Sequence, residues 1–97
     1  MVKPYSREKS NLISPYLTVF PNPAKTAITA SFNMLNDGPA VLNISDMHGR
    51  ILLKEQSLLQ KGPNRITMAL TGLPNGVYFL TLSTSSEQRI TKFSILN

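Results

Sequence analysis

The sequence predicts an all-β domain, an antiparallel sandwich of about seven short strands. Three observations carry that prediction. Apolar and polar residues alternate in short runs with a period of two, the pattern of strands with one buried and one wet face. The runs are cut by Gly, Pro, Asn and Asp, the residues that turn a chain. Nowhere do apolar residues recur at the three- and four-residue spacing of an amphipathic helix with caps.

The elements follow in order. Residues 1–16 read as a linker or an expression-derived arm, polar, with Pro4 and Pro15 and no periodicity. Leu17-Thr18-Val19-Phe20 is a first strand, stopped by Pro21-Asn22-Pro23. Ile28, Ala30 and Phe32 alternate with Thr29, Ser31 and Asn33, and Asn36-Asp37-Gly38-Pro39 then turns the chain. Leu42 and Ile44 point inward in the third run. Asp46-Met47-His48-Gly49 forms a tight turn, and Ile51 and Leu53 continue the inward face, with Lys54 and Gln56 opposite. After Lys61-Gly62-Pro63, Ile66, Met68 and Leu70 alternate with Arg65, Thr67 and Ala69. Val77-Tyr78-Phe79-Leu80-Thr81-Leu82 is apolar on both faces, which fits a central strand. Ser83 to Glu87 is a polar hairpin tip, and Thr91, Phe93 and Ile95 alternate with Lys92 and Ser94. Seven such strands in a chain this long are the signature of an immunoglobulin-like antiparallel β-sandwich. A small barrel is the alternative closure.

The bulk properties agree. Ninety-seven residues suffice for one domain, residues 17–97 here, and a hydrophobic fraction of 41% suits a folded chain. A domain of this size buries roughly two-thirds of its unfolded surface. No apolar run approaches the ~20 residues of a spanning helix. The absence of cysteine excludes disulfides, thiol catalysis and cysteine-ligated metal. The first ten residues carry charges with no apolar stretch behind them, so they are not a secretory signal. The net charge of +5 is spread along the chain rather than gathered in a stripe, which argues against nucleic acid.

Residues that could carry chemistry are sparse. The single histidine, His48, sits in a turn, and its neighbours Ser45 and Asp46 do not make a triad by adjacency. The five acids, Glu8, Asp37, Asp46, Glu55 and Glu87, are scattered, which suits neither a paired-carboxylate site nor a calcium cage. Zinc needs three or four ligands. No glycine-rich phosphate loop is present, and the glycines read as turn residues. The expectation is therefore no enzyme, no cofactor and no metal. There is no Trp to build a sugar platform; Phe32, Phe79 and Phe93 are assigned to the core, and Tyr5 and Tyr16 to the linker.

Three segments are informative through backbone shape. In Pro21-Asn22-Pro23 each proline fixes φ and removes a donor. Asp46-x-x-Gly49-Arg50 suits a turn whose Asp caps amides and whose Gly takes positive φ. Leu73-Pro74-Asn75-Gly76-Val77-Tyr78 reads as a corner, with Tyr78 placed for its hydroxyl to tie back to upstream backbone, as in the tyrosine corner of Greek-key sandwiches.

In this order and spacing, closed by Thr91-Lys92-Phe93-Ser94-Ile95, the segments resemble the type A C-terminal sorting domain of proteins exported by the bacterial type IX secretion system in the Bacteroidetes. The resemblance spans residues 17–97. It implies a non-catalytic domain that takes a larger cargo through the periplasm and across the outer membrane, to the cell surface or the medium. The implied partners are the outer-membrane translocon and a surface sortase, with anionic lipopolysaccharide reached through the cargo. It further implies that Gly76, Tyr78, Lys92, Phe93 and Ile95 take part in recognition by the translocon, and that the sortase cut falls before Val19. Such a cargo carries a Sec signal, so the chain is expected to be the C-terminal piece of a longer protein, with Met1 added for expression.

Structure alone also accounts for many of these residues. Gly76 and Tyr78 can simply hold the corner, and Lys92 can be a solvated residue guarding an edge. A fibronectin- or adhesin-like spacer remains an alternative, and a carbohydrate-binding module would show an exposed aromatic cluster.

Overall fold

Seven strands form in the expected order in a computed structural model that describes residues 17–97; the linker assigned to residues 1–16 lies outside the described residues. They are β1 (Leu17–Phe20), β2 (Ala27–Met34), β3 (Gly38–Ser45), β4 (Ile51–Leu59), β5 (Gly62–Ala69), β6 (Gly76–Thr84) and β7 (Gln88–Ile95). The pairing of all seven is antiparallel, in a three-stranded sheet β1-β2-β5 and a four-stranded sheet β4-β3-β6-β7. The consecutive strands β4 and β5 lie in different sheets, so the chain forms a sandwich and not a closed barrel. In constant-type immunoglobulin domains the fourth strand joins the sheet of the first, second and fifth. Here the tight turn after β3 keeps β4 beside β3 in the other sheet. β6 is interior, flanked by β3 and β7, as its two apolar faces require.

The core lies between the sheets. Ile28, Ala30 and Phe32 of β2 face Leu42 and Ile44 of β3, Tyr78, Leu80 and Leu82 of β6, and Phe93 and Ile95 of β7 across it. These residues alternate along their strands, so each strand buries one face because the pleat has period two.

Two sequence assignments are corrected by that pleat. Phe79 is not in the core: Tyr78, Leu80 and Leu82 take the inner positions of β6, and the residue between Tyr78 and Leu80 must point to the outer face. Ile51 does not continue the inward face of β4 either. The register slips at Ile44/Ser45, with Leu53 opposite Ile44 but Ile51 opposite Ser45, and Ile51 is 59% exposed. One extra residue in a strand reverses the facing of what lies beyond it.

The glycines divide. Gly49 (φ 83°) and Gly72 (φ 87°) sit in turns, in the left-handed region where a side chain is disfavoured. Gly76 (φ 159°) is nearly extended and opens β6, so the positive-φ residue of the corner is Gly72.

Candidate functional site

The corner, the proline motif and the terminal strand meet at one end of the sandwich. β7 pairs with β6 so that Tyr78 stands opposite Phe93 and Gly76 opposite Ile95. The Tyr78 and Phe93 rings stack with centroids 5.9 Å apart. The Tyr78 hydroxyl donates to the Pro74 carbonyl at 2.5 Å, which is the tie to upstream backbone expected of the corner. A turn closed by Leu73 N–H to Leu70 C=O carries the chain into it, with Leu73 packed against the core.

The other edge of β7 meets the proline motif, a contact the sequence reasoning missed. Asn22 Oδ1 accepts the Ser94 N–H at 3.0 Å. The Ala24 N–H donates to the Ser94 carbonyl at 2.8 Å, and the Leu96 N–H to the Ala24 carbonyl at 2.9 Å, giving a short parallel bridge between Ala24 and Ile95. Ala24 is fully buried beneath it. Pro23 has no N–H, so Ala24 is the first residue after Asn22 whose backbone can donate to β7. The signal was a hydrogen-bonding Asn held between two residues of fixed φ. Past Leu96, the Asn97 N–H donates to Asn75 Oδ1 at 3.0 Å, returning the chain to the corner.

The Asp46 turn flanks this end. Asp46 Oδ1 accepts the N–H groups of His48 (2.8 Å) and Arg50 (3.0 Å), and Oδ2 accepts the Arg50 Nε–H at 2.7 Å. The sequence placed the capping and the Gly49 φ but not the ion pair. Partial desolvation pushes the Asp46 pKa up, but the N–H donors of Arg50 and His48 and the Arg50 charge outweigh it and hold the carboxyl below its ordinary value. His48 is exposed.

An open cleft of about 410 Å³ lies between this turn and the corner, lined by Asp46, His48, Arg50, Leu73, Pro74 and Tyr78. A second, of about 430 Å³, lies between Pro23, Asn75 and Ser94–Leu96. Gly76 and Val77 border both clefts. Among the described residues no group of three or more His, Asp or Glu side chains gathers to hold a metal. Phe20 lies under the Arg65 guanidinium on one outer face, and Phe79 is on the other, so these two rings do not form a common platform.

The structure separates the five residues singled out for recognition. Tyr78, Phe93 and Ile95 are buried, at 4%, 1% and 2% exposure. Gly76 lies exposed at the cleft rim, and Lys92 is exposed on the outer face opposite Phe79. Of the motif residues, Pro21, Asn22, Pro23 and Pro74 are exposed, Leu73 and Asp46 are half-buried, and Gly49 lies in its turn.

Residues 18–96 match the secretion system C-terminal sorting domain. The chain belongs to that family. The match runs through all seven strands, from the second residue of β1 to the residue after β7. It therefore takes in the three segments that meet at the stitched end. No curated protein matches the chain. A sorting domain of this family is a C-terminal signal for type IX secretion, which implies interaction with that machinery and export across the outer membrane.

Proposed function

We propose that the domain is a non-catalytic handle, read in its folded state by the outer-membrane translocon and then removed by a surface sortase or used in attaching the cargo to the surface. The observation that supports this is the convergence of the three family segments. Pro21–Ala24, Leu73–Tyr78 and Lys92–Ile95 are far apart in sequence and form one hydrogen-bonded end of the sandwich. In this reading Tyr78, Phe93 and Ile95 act by holding β7 in place, because a partner meeting a folded domain cannot touch buried side chains. Gly76 and Lys92 are the members of the set that a partner can reach. Pro21, Asn22, Pro23, Asp46, Gly49, Leu73 and Pro74 shape the frame around them. Residues 17–97 form the sorting unit, and residues 1–16 connect it to cargo and contain or adjoin the sortase cut.

The test is export. A Sec signal and a fluorescent reporter are fused ahead of residues 1–97 in a Bacteroidetes host with a working type IX system, and reporter in the medium and on the surface is compared with that in the periplasm. Export that disappears in a translocon mutant is the expected result. A folded fusion held in the periplasm of the competent host refutes the proposal. Deleting residues 89–97 is not an equivalent control, since it strips Phe93 and Ile95 from the core.

A further inference from the structure

The outer edges of the two sheets are not alike. β1 is four residues long and runs into Pro21. β5 carries Pro63, and the end of β7 is bonded to Asn22 and Ala24. Short strands, prolines and covering segments all keep an edge from pairing with another chain. β4 runs for nine residues with neither Pro nor Gly. It is outermost in its sheet, so among the described residues no strand takes up its far edge.

The direction of the β4 backbone groups follows from the opposite end of the sheet. Ser94 turns both its N–H and its C=O to the proline motif, so Phe93 turns its own to Tyr78. Along antiparallel strands the hydrogen-bonded positions alternate. The Thr81 backbone is therefore turned to Asn43, and that of Leu42 to Glu55. This leaves the N–H and C=O of Lys54, Gln56 and Leu58 pointing away from the sheet. Donors and acceptors at that spacing are matched by an extended strand.

The side chains of β4 fit a second copy of the same strand. Lys54, Gln56 and Leu58 lie on the outer face, and Leu53, Glu55, Ser57 and Leu59 on the inner one. An antiparallel copy related by a two-fold axis at Gln56 sets Leu53 against Leu59, Glu55 against Ser57 and Lys54 against Leu58, each twice. Apolar meets apolar, and the Ser57 hydroxyl donates to the Glu55 carboxylate. The Lys54 stem covers Leu58, which is 84% exposed in the single chain. Neighbouring registers lack this match. One step sets Glu55 against its own copy, and a second sets Lys54 against its own; like charges directly opposed on paired strands repel. A step the other way sets the Glu55 carboxylate against Leu59.

We propose that β4 is a self-association edge, through which two copies of this chain pair antiparallel over Leu53–Leu59 with Gln56 at the centre. The pairing joins two four-stranded sheets into one continuous sheet, and the stitched ends, on β7, lie at its two far edges and stay uncovered. A single strand pair is a small contact, so the association is weak and grows with concentration.

Sedimentation of residues 1–97 over a concentration series tests this, with a thermal melt of each variant as the check on folding. Wild type is expected to pass from monomer to dimer as concentration rises. Leu58→Lys creates two like-charge pairs with Lys54 across the axis and is expected to weaken pairing about fivefold. Leu58→Glu creates two opposite-charge pairs at the same positions and is expected to pair at least as tightly as wild type. Leu58 is exposed on an edge strand, so both variants melt near wild type. A wild type that is still monomeric at about 1 mM overturns the proposal. So does a dimer that the two Leu58 variants leave unchanged or weaken alike, since such a dimer uses another surface or another register.

Discussion

Replacing Asn22 with Ala tests whether the proline motif holds the terminal strand. The change removes one acceptor, the Oδ1 that takes the Ser94 N–H at 3.0 Å, and leaves the two Ala24 bonds in place. Asn22 is exposed and lies outside any strand, so neither packing nor strand propensity changes with it. One intramolecular hydrogen bond contributes about 0.5–1.5 kcal/mol net. In a domain of this size about 1 kcal/mol lowers Tm by roughly 4–8 °C. The same energy should speed amide exchange at Ser94 about fivefold through local opening. Asn22→Asp is the decisive companion, because its carboxylate accepts the same N–H with charge assistance. Thermal melts and amide exchange should therefore leave Asn22→Asp at or near wild type while Asn22→Ala falls. Equal losses in both, or no loss in Asn22→Ala, would show that the side-chain bond does not hold β7.

Three further outcomes follow from the geometry. Phe93→Ala should cost about 3–5 kcal/mol and Phe79→Ala about 1 kcal/mol, since only the first opens a cavity between the sheets; denaturant melts distinguish them. Tyr78→Phe keeps the stacked ring but loses the bond to Pro74, so chemical denaturation should show a loss of about 0.5–1.5 kcal/mol, and a larger loss would mean that the hydroxyl organises the whole corner. The Asp46 carboxyl should titrate below its ordinary value of 3.8 when followed by NMR. Its folded-state pKa is depressed, so its contribution is fully present above the unfolded pKa and is lost as pH falls through the folded one. A midpoint at or above the ordinary value would contradict the ion pair with Arg50.

The strands were legible because the domain has a single core and the pleat has period two, so a sequence written for one buried face shows its alternation directly. The interior position of β6 followed from apolar residues on both faces. The facing of Phe79 was equally available, since Tyr78, Leu80 and Leu82 already occupied the inner positions, but aromatic character was given more weight than parity. Ile51 was not available in the same way: the slip at Ser45 is a backbone event with no residue signature of its own. At the stitched end, the Tyr78 tie is local, four residues long, and the motif announces it. The Asn22–Ser94 bond joins residues 72 positions apart, and no local pattern names a partner at that distance. Asn43 Oδ1, buried on β3 with no hydrogen-bond partner, was beyond reach for the same reason, since its state depends on the neighbouring strands.

The Ala24–Ile95 bridge also sets an order of events. During synthesis the proline motif emerges early and its partner near the end, so one side of the bridge waits for almost the whole domain. Contacts of such long sequence separation pay their loop-closure entropy late and slow the search for the native state. A chain cut short before Ser94 has nothing to bond to Asn22 and leaves Gly76 and Val77, the first two residues of β6, without their β7 partners. Strand residues left without partners invite pairing with another chain. The finished end is therefore a checksum on the polypeptide: it exists only when both extremities of the domain have been made and have found each other.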